Sequence, residues 1–503
     1  MPADSNKSSI NMHFKADIKL GKNLSDNIFQ FKKVFQDDDT FRVRSFTNQK
    51  QPDAKFCVLY IDGMVDVQTA NRTIMEPIIQ CHLTEKYDID SILNHVVINN
   101  YAEKAYTPEQ MVEGIIRGET VLLMDHCSEA LIISTKGWKS RSIAEPENEK
   151  VLRGPREGFV EPILVNLSLI RRRLATPNLK FKFMTLGTQT KTKVCVSYIE
   201  GIVNNKILSE VLDRLNKVSI DSVLGSNYLV ELTTDAPYSP FKTIGSTERP
   251  DVAVAKLLEG RIIIILDGTP EALTMPFLFE EYFQNDEDYY INFYYSSISR
   301  FLRFFGFVLT ISTAGLYVAF MCFHWEMMPV MLLVSVLEAR EAIPFPTIIE
   351  TLGLLVTFEI LREAGSRMPI NIGQSLSILG ALVLGTAAVE ARIVSAPVIV
   401  IVALTGLTGL MIPKIKGPSI ILRYFLVLLS GFLGLYGFMM GSIIIMIHLC
   451  GIRSFGIPYM VSFTSLGPEG LKDTIFRLPL WFMKKRPKFI SGENKIRQAN
   501  GGQ

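Results

Sequence analysis

Six ionisable side chains, Glu350, Glu359, Arg362, Glu363, Arg367 and Glu390, fall in or beside apolar runs of helix length between Ser335 and Arg392. The core of that stretch reads FPTIIETLGLLVTFEILREAGSRMPINIGQSLSILGALVLGTAAVEAR. A charge at the centre of a bilayer costs on the order of 3 kcal/mol or more, so intramembrane carboxylates face a bundle interior or a water-filled path. The expected chemistry is passage of ions or polar solutes, with Glu350 and Glu359 attracting cations or holding a gate. Glu359 is three residues from Arg362 and four from Glu363, close enough on a helix for Arg362 to neutralise a carboxylate. Glu363 and Arg367 read as an interfacial pair at a helix end. Glu350 has no Lys or Arg nearby in its own helix, and Arg340 and Glu341 can reach it only through the fold.

The run Asn371 to Arg392 is rich in Gly, Ala, Ser and Thr. Two readings stay open: close packing between membrane helices, or a pore-lining helix with Gln374, Ser377, Ala381 and Leu384 on one face.

These residues need a scaffold, and the composition shows a step. Up to about Tyr295 the chain has the charge and Gly/Pro punctuation of a soluble α/β protein. From Phe301 to about Leu449 it is apolar. Phe304–Phe323, Phe345–Leu361, Ile372–Val389, Val394–Ile412 and Ile420–His448 are span-length candidates, and Met328–Leu337 is short for a crossing. The expected class is an α/β N-terminal region of two duplicated lobes followed by an all-α polytopic membrane domain. The expected parts are a polar extension (1–44), lobe 1 (45–150), a connector (151–184), lobe 2 (185–295), four to six spans (300–450) and a tail (451–503). Topology meets a conflict. Five crossings from a cytosolic start place the tail outside, yet Lys484, Lys485 and Arg486 favour the cytosolic face. Either Met328–Leu337 crosses or a later segment does not.

Duplication is legible in two places. FCVLYIDGMVD (56–66) parallels VCVSYIEGIVN (194–204), and RGETVLLMDHCSEAL (117–131) parallels EGRIIIILDGTPEAL (259–273) without a gap. Short β-branched runs ended by acidic-Gly turns read as buried strands. Asp267-Gly268-Thr269-Pro270 has the look of a phosphate loop, but Asp125 opens the matching loop with His126 and Cys127, so a strand-ending turn is expected. The loop from Pro237 to Asp251 is long enough to make contacts. In the connector a helix is expected from about Glu161 to Leu174, ended by Arg171, Arg172 and Arg173, which complement the macrodipole. Together with Arg156 they form a candidate interface for a neighbouring subunit or anionic headgroups.

Other chemistries find little support. P-loop, zincin and nucleophile-elbow motifs are missing, and no cofactor, metal site or catalytic constellation is expected. A net charge of +2 with no broad basic field argues against nucleic acid. The six scattered cysteines fit a reducing compartment, with Cys57 and Cys195 at matching repeat positions as small buried hydrophobes. The polar N-terminus predicts no cleaved signal, so the lobes are expected in the cytosol.

The strings RGPREGFVEPILVNLSLIRRRL, TERPDVAVAKLLEGRIIIILDGTP, AREAIPFPTIIE, FEILREAGSRMP, IGQSLSILGALVLGTAAVEA, RSFGIPY and LKDTIFRLPLW occur in the order found in one family. The chain, from about Phe41 to Pro487, resembles the A subunits of spore nutrient germinant receptors, the GerA family. The resemblance implies a multi-pass protein of the spore inner membrane. It implies work with a transporter-like B subunit and a lipoprotein C subunit, and assembly as a homo-oligomer, a pentamer, forming a ligand-gated channel that releases monovalent cations. The family includes a sporulation-stage paralogue that amplifies germination. Thr386 and Arg392 stand where family members commonly carry Gln and Gly. A non-conducting scaffold or signal-amplifying subunit is the alternative, and a secondary transporter is a weaker one because no inverted repeat is found in the membrane half.

Overall fold

The computed structural model describes the chain outside residues 1–19, 83–87, 100, 138–145, 147–148, 152, 368–384, 465–472 and 498–503. The first lobe opens with helix α1 (Leu24–Val34), followed by strands β1 (Phe41–Thr47), β2 (Lys55–Ile61) and β3 (Ala102–Ala105). Helix α2 (Pro108–Ile116) and strands β4 (Thr120–Met124) and β5 (Ala130–Ile133) complete it. The five strands form an antiparallel sheet in the order β1-β2-β4-β5-β3.

The second lobe repeats the plan. Helix α3 (Ile163–Arg173) precedes β6 (Leu179–Leu186) and β7 (Thr192–Ile199), then α4 (Asn205–Lys217), β8 (Gly245–Thr247), α5 (Pro250–Glu259), β9 (Ile262–Leu266) and β10 (Ala272–Met275). The sheet order, β6-β7-β9-β10-β8, is the same. Both sheets bury two faces, which explains the continuous apolar runs TVLLM and IIIIL. Along β7, Val194, Val196 and Tyr198 pack on α4, while Cys195 and Ile199 pack on α3 and α5. Cys57 and Cys195 occupy the same face of their sheets and are fully buried, and desolvation pushes both thiols up, Cys57 to about 11.

The repeat is larger than the sequence patterns outline. Asp125 Oδ1 accepts from the Leu24 amide at 3.1 Å, and Asp267 Oδ1 accepts from the Ile163 amide at 3.0 Å. Each strand-ending Asp therefore holds the start of its lobe's first helix, and the Asp267 carboxylate is engaged there. The side chain of Asn27 exchanges hydrogen bonds with the Gly21 backbone (2.8 and 2.9 Å), as Asn166 does with Val160 (2.5 and 2.8 Å). Two assignments change accordingly. The connector helix is the opening helix of lobe 2, and lobe 1 begins well before residue 45, since Leu24 and Phe31 share a core with Cys57 and Leu59.

Arg171 leaves the candidate interface. Its side chain is 0% exposed, bonds Asp38 at 2.6 Å and lies over the Phe181 ring at 4.7 Å. It ties lobe 2 to the loop after α1, where Phe183 N also bonds Asp39 and Lys180 Nζ bonds the Val34 carbonyl. Arg172 and Arg173 pair with Glu157 at 3.3 and 2.8 Å.

The C-terminal half is helical: α6 (Phe293–Phe323), α7 (Val330–Arg340), α8 (Thr347–Arg367), α9 (Ala396–Leu410) and α10 (Lys416–Gly451). Among the described residues, two helices are long and apolar enough to cross a membrane, α6 and the stretch Pro413–Gly451, and Ala396–Leu410 is apolar but shorter. The segment expected as a single run from Ile420 to His448 reverses at Gly434, which has φ +62° and ψ −142°. A methyl group on Gly441 would lie 2.8 Å from Leu426. Those residues would be about 22 Å apart in a straight helix. α10 is therefore a hairpin whose tip meets Phe323 and His324 at the end of α6.

The tail folds back. Phe277 N donates to Ser454 Oγ (3.2 Å), Phe455 N to Asp235 (2.7 Å), and Gly492 N to the Ile202 carbonyl (2.7 Å). A phenylalanine- and tyrosine-rich core, with Phe241, Phe279, Tyr282, Phe307, Leu426 and Tyr459, joins lobe 2, α6, both arms of the hairpin and the tail. The loop expected to make contacts enters this junction through Phe241 and through Ser239, whose Oγ lies 2.9 Å from His448 Nε2.

Candidate functional site

Helix α8 carries the sequence-identified carboxylates. Its mixture of Leu, Ile and Val with Gly353 gives an apolar helix, which starts directly after Pro346 and stays helical through the charged REAGSR stretch to Arg367. The helix packs against α9, α6 and α10, with Leu355 in a core with Ala314, Val318, Val398, Val402 and Val427. Burial of that face is what forces Glu350 and Glu359 to find partners inside the bundle.

Glu350 is fully shielded in its side chain. Its Oε1 accepts from the backbone N and the Oγ of Ser395, at 2.5 and 2.6 Å. Ser395 is the N-cap of α9, so the carboxylate sits at the positive end of a 15-residue helix. Arg340 Nε, at the end of α7, lies 3.6 Å from Oε2. The carboxylate is therefore held by a helix terminus and one arginine, from two other elements. Glu350 also borders an apolar cavity of about 520 Å³ walled by Phe358, Leu361, Val394, Ile399 and Val402.

Glu359 bonds two arginines. Arg362 lies one turn on in the same helix, and Arg423 Nη2 comes from α10 at 2.5 Å with only 1% of its side chain exposed. Glu363 pairs with Arg367 at 2.7 Å on an exposed surface, as the spacing predicts. Glu390 is exposed. Gln374, Ser377, Ala381 and Leu384 lie outside the described residues.

At the lobe end of α6 a third ionic group appears. Arg300 Nε bonds Asp288 (3.1 Å) and Nη1 bonds Asp473 (2.7 Å), Arg303 bonds Asp288, and the Tyr289 hydroxyl donates to Asp473 (2.6 Å). Lobe 2, the first long helix and the tail thus share one buried network.

Sequence reasoning missed Ser395 and the reach of Arg423. In the sequence Arg423 is one basic residue near the start of the apolar run Ile420–His448. Its partner is 64 residues away, and nothing local marks the pair. Arg340 was within view as a neighbour of Glu350 through the fold, and it is one.

Comparison with known proteins accounts for nearly the whole chain. A model of the family described as Bacillus/Clostridium GerA spore germination protein matches residues 29–489. The chain is 39% identical over 485 residues to spore germination protein KA of Bacillus subtilis strain 168, covering 96% of this chain and 89% of that one. It is 42% identical over 441 residues to the uncharacterized membrane protein YfkQ of the same organism, covering 87% and 86%. Spore germination protein B1, also of that organism, is 35% identical over 485 residues, covering 96% and 100%. A solved structure, the N-terminal domain of the A subunit of the Bacillus megaterium spore germinant receptor GerK3, aligns with 52% of this chain and 98% of its own, with 29% identity and a TM-score of 0.40. The chain belongs to the GerA family of spore germination proteins.

Proposed function

We propose that this chain is the A subunit of a spore germinant receptor, and that copies of it surround a path through which monovalent cations leave the spore. The observation that carries this reading is the pair of buried carboxylates, Glu350 and Glu359, each held by an arginine from another helix within an apolar bundle. Structural ion pairs are weak contributors to stability when buried, because desolvation offsets attraction. A carboxylate retained at that cost fits a conformational role. In the closed state Arg340 and Arg423 occupy the carboxylates. Opening separates the helices and leaves Glu350 and Glu359 to passing cations.

The apolar helices span the inner membrane an even number of times in this reading. The docking of the tail on lobe 2 supports it, because the tail then shares the cytosolic side with the lobes. The reversal at Gly434 supplies the crossing that the five-span count lacks, and Met328–Leu337 need not cross. Family membership supports the partners: a pentamer of this chain, a transporter-like B subunit and a lipoprotein C subunit.

Single-channel recording from the purified chain in planar bilayers tests the proposal. Wild type is expected to give discrete cation-selective openings. Glu350→Gln should lower conductance, and Glu359→Gln, which frees Arg423, should raise the open probability. A second reading, a non-conducting coupling subunit, draws on the same observation, since both carboxylates are already neutralised within one chain. Silence from folded oligomers, with and without partner subunits, would favour it and sink the channel.

A further inference from the structure

From Asp473 onward the tail runs along the foot of α6. Ser297 Oγ donates to the Arg477 carbonyl (2.9 Å), the Phe301 and Phe476 rings lie 6.2 Å apart and parallel within 7°, and Phe293 meets Trp481 edge-on at 5.9 Å. Yet the outer surfaces of Phe476, Leu480, Trp481 and Phe482 are about half exposed. They continue a band of exposed Tyr294, Tyr295, Ile298 and Phe301 on the first turns of α6. Immediately beyond come Lys484, Lys485 and Lys488, all on the surface.

We infer that residues 476–488 are a second, interfacial membrane anchor, seated in the headgroup region of the leaflet that faces the lobes and drawn there by anionic phospholipid. Aromatic side chains with one apolar and one polar side favour that depth, and a lysine cluster beside them adds attraction to negatively charged lipid. The occupant is fixed by continuity: the patch is the same surface, at the same level, as the base of a helix long and apolar enough to cross a bilayer. An aqueous partner protein would have to match a strip that ends against that helix.

The consequence reaches lobe 2. Among the lysines, Arg486 donates to the Leu258 carbonyl (2.7 Å), and beyond them Ser491 and Gly492 bridge to Val203 and Ile202. Lobe 2 is thereby strapped to the bilayer at two places, by α6 and by the anchor. A lobe held at two points tilts with the membrane surface instead of pivoting on one helix.

The inference rests on the membrane placement of α6 and not on conduction, and the test separates the two. The full chain is reconstituted in phosphatidylcholine vesicles with or without phosphatidylglycerol, using lipids brominated at shallow or deep acyl positions. The protein has three tryptophans. With Trp138 and Trp325 changed to Phe, Trp481 reports alone. With Trp138 and Trp481 changed to Phe, Trp325, at the opposite end of α6, reports membrane insertion. Expected are loss of Trp481 emission by shallow bromines more than deep ones, stronger loss with phosphatidylglycerol, and loss of that lipid dependence in Lys484→Gln/Lys485→Gln/Lys488→Gln. Quenched Trp325 with unquenched Trp481 would overturn the anchor while the span stands. Trp481 protected in proportion to protein density would do the same, assigning the strip to a second copy. If neither tryptophan is quenched, the membrane placement itself fails and the anchor with it.

Discussion

The two lobes share one plan and live in different surroundings, and the loop at residues 117–119 and 259–261 shows what that does. In lobe 1 the loop reads Arg-Gly-Glu, and in lobe 2 Glu-Gly-Arg. Arg117 pairs with Glu113 with both side chains more than half exposed, and Glu119 pairs with Lys136 at 2.9 Å near the surface. In lobe 2, Arg261 is nearly fully buried, bonding Glu259 (3.1 Å) and Glu281 (2.7 Å). The segment after β10, carrying Phe277 to Tyr290, covers the loop and joins it to the C-terminal helical half. The glycine between the charges did not diverge. Gly118 and Gly260 have φ of +83° and +95°, each backed against a carbonyl, of Met64 and Ile202 respectively. The two lobes share the backbone solution, and the charges around it differ where lobe 2 docks against the helical half.

The sharpest way to break this comparison is to remove the same position in each lobe. Arg261→Met leaves Glu281 and Glu259 with Lys256 as their remaining salt-bridge partner among the described residues and should cost about 3–5 kcal/mol, the range for breaking a buried pair. Glu119→Met should cost no more than about 1 kcal/mol. Thermal melts of the full-length protein check both, and equal shifts would refute the contrast.

Next in size is a pH effect confined to the lobe 2 junction. Glu280 accepts from Ser462 Oγ of the tail (2.5 Å), its other carboxyl oxygen has no hydrogen-bond partner, and burial pushes it up to about 7. Around it stand Glu281 of the same turn, which pushes it further up, and Arg261 and the Ser462 hydroxyl, which oppose the shift. Below the ordinary carboxyl range both folded and unfolded chains hold the proton. Between that range and about 7 only the folded chain does, so stability falls as pH rises. The full loss is about 3 kcal/mol, from the linkage of a shift that starts at 4.5. Glu280→Gln should flatten that fall between pH 5 and 7, and an unchanged slope would remove Glu280 as its source.

The glycines sharpen the shared half of the comparison. Gly118→Ala and Gly260→Ala force a β-carbon into left-handed backbone, at about 1–2 kcal/mol each. They also bring it within 3.1 and 2.9 Å of the opposing carbonyls. Similar losses in melting temperature are expected, and a neutral Gly118→Ala would mean that the two turns are not equivalent. The smallest effect belongs to Glu157→Gln at the partly exposed Arg172 and Arg173 pairs, within about 1 kcal/mol. Asp38→Asn, at the buried Arg171 pair, serves as the contrasting control in the same melts.

How much of this was readable depended on distance along the chain. The central strands, VCVSYI and IIIIL, announce themselves by composition, while edge strand β8 has three residues and no pattern. Helix α1 was hidden in a polar stretch because only its narrow face, Leu24, Asn27 and Phe31, is buried. Arg171 looked like a solvated helix end because Asp38 lies 133 residues away. Of the site, Glu350, Glu359 and the Glu363–Arg367 pair were legible, whereas Ser395 and the role of Arg423 were not.

By itself the sequence determined the step from α/β lobes to apolar helices, the duplication, and the presence of carboxylates in the bundle. Those are local matters, set by side-chain period and by the cost of placing each residue type in water or lipid. Only the tertiary structure decided which arginine meets which carboxylate, that the last apolar run doubles back at Gly434, and that the tail returns to lobe 2. These depend on which faces meet when whole elements bury their apolar surfaces together, and no window of sequence contains both sides of such a contact.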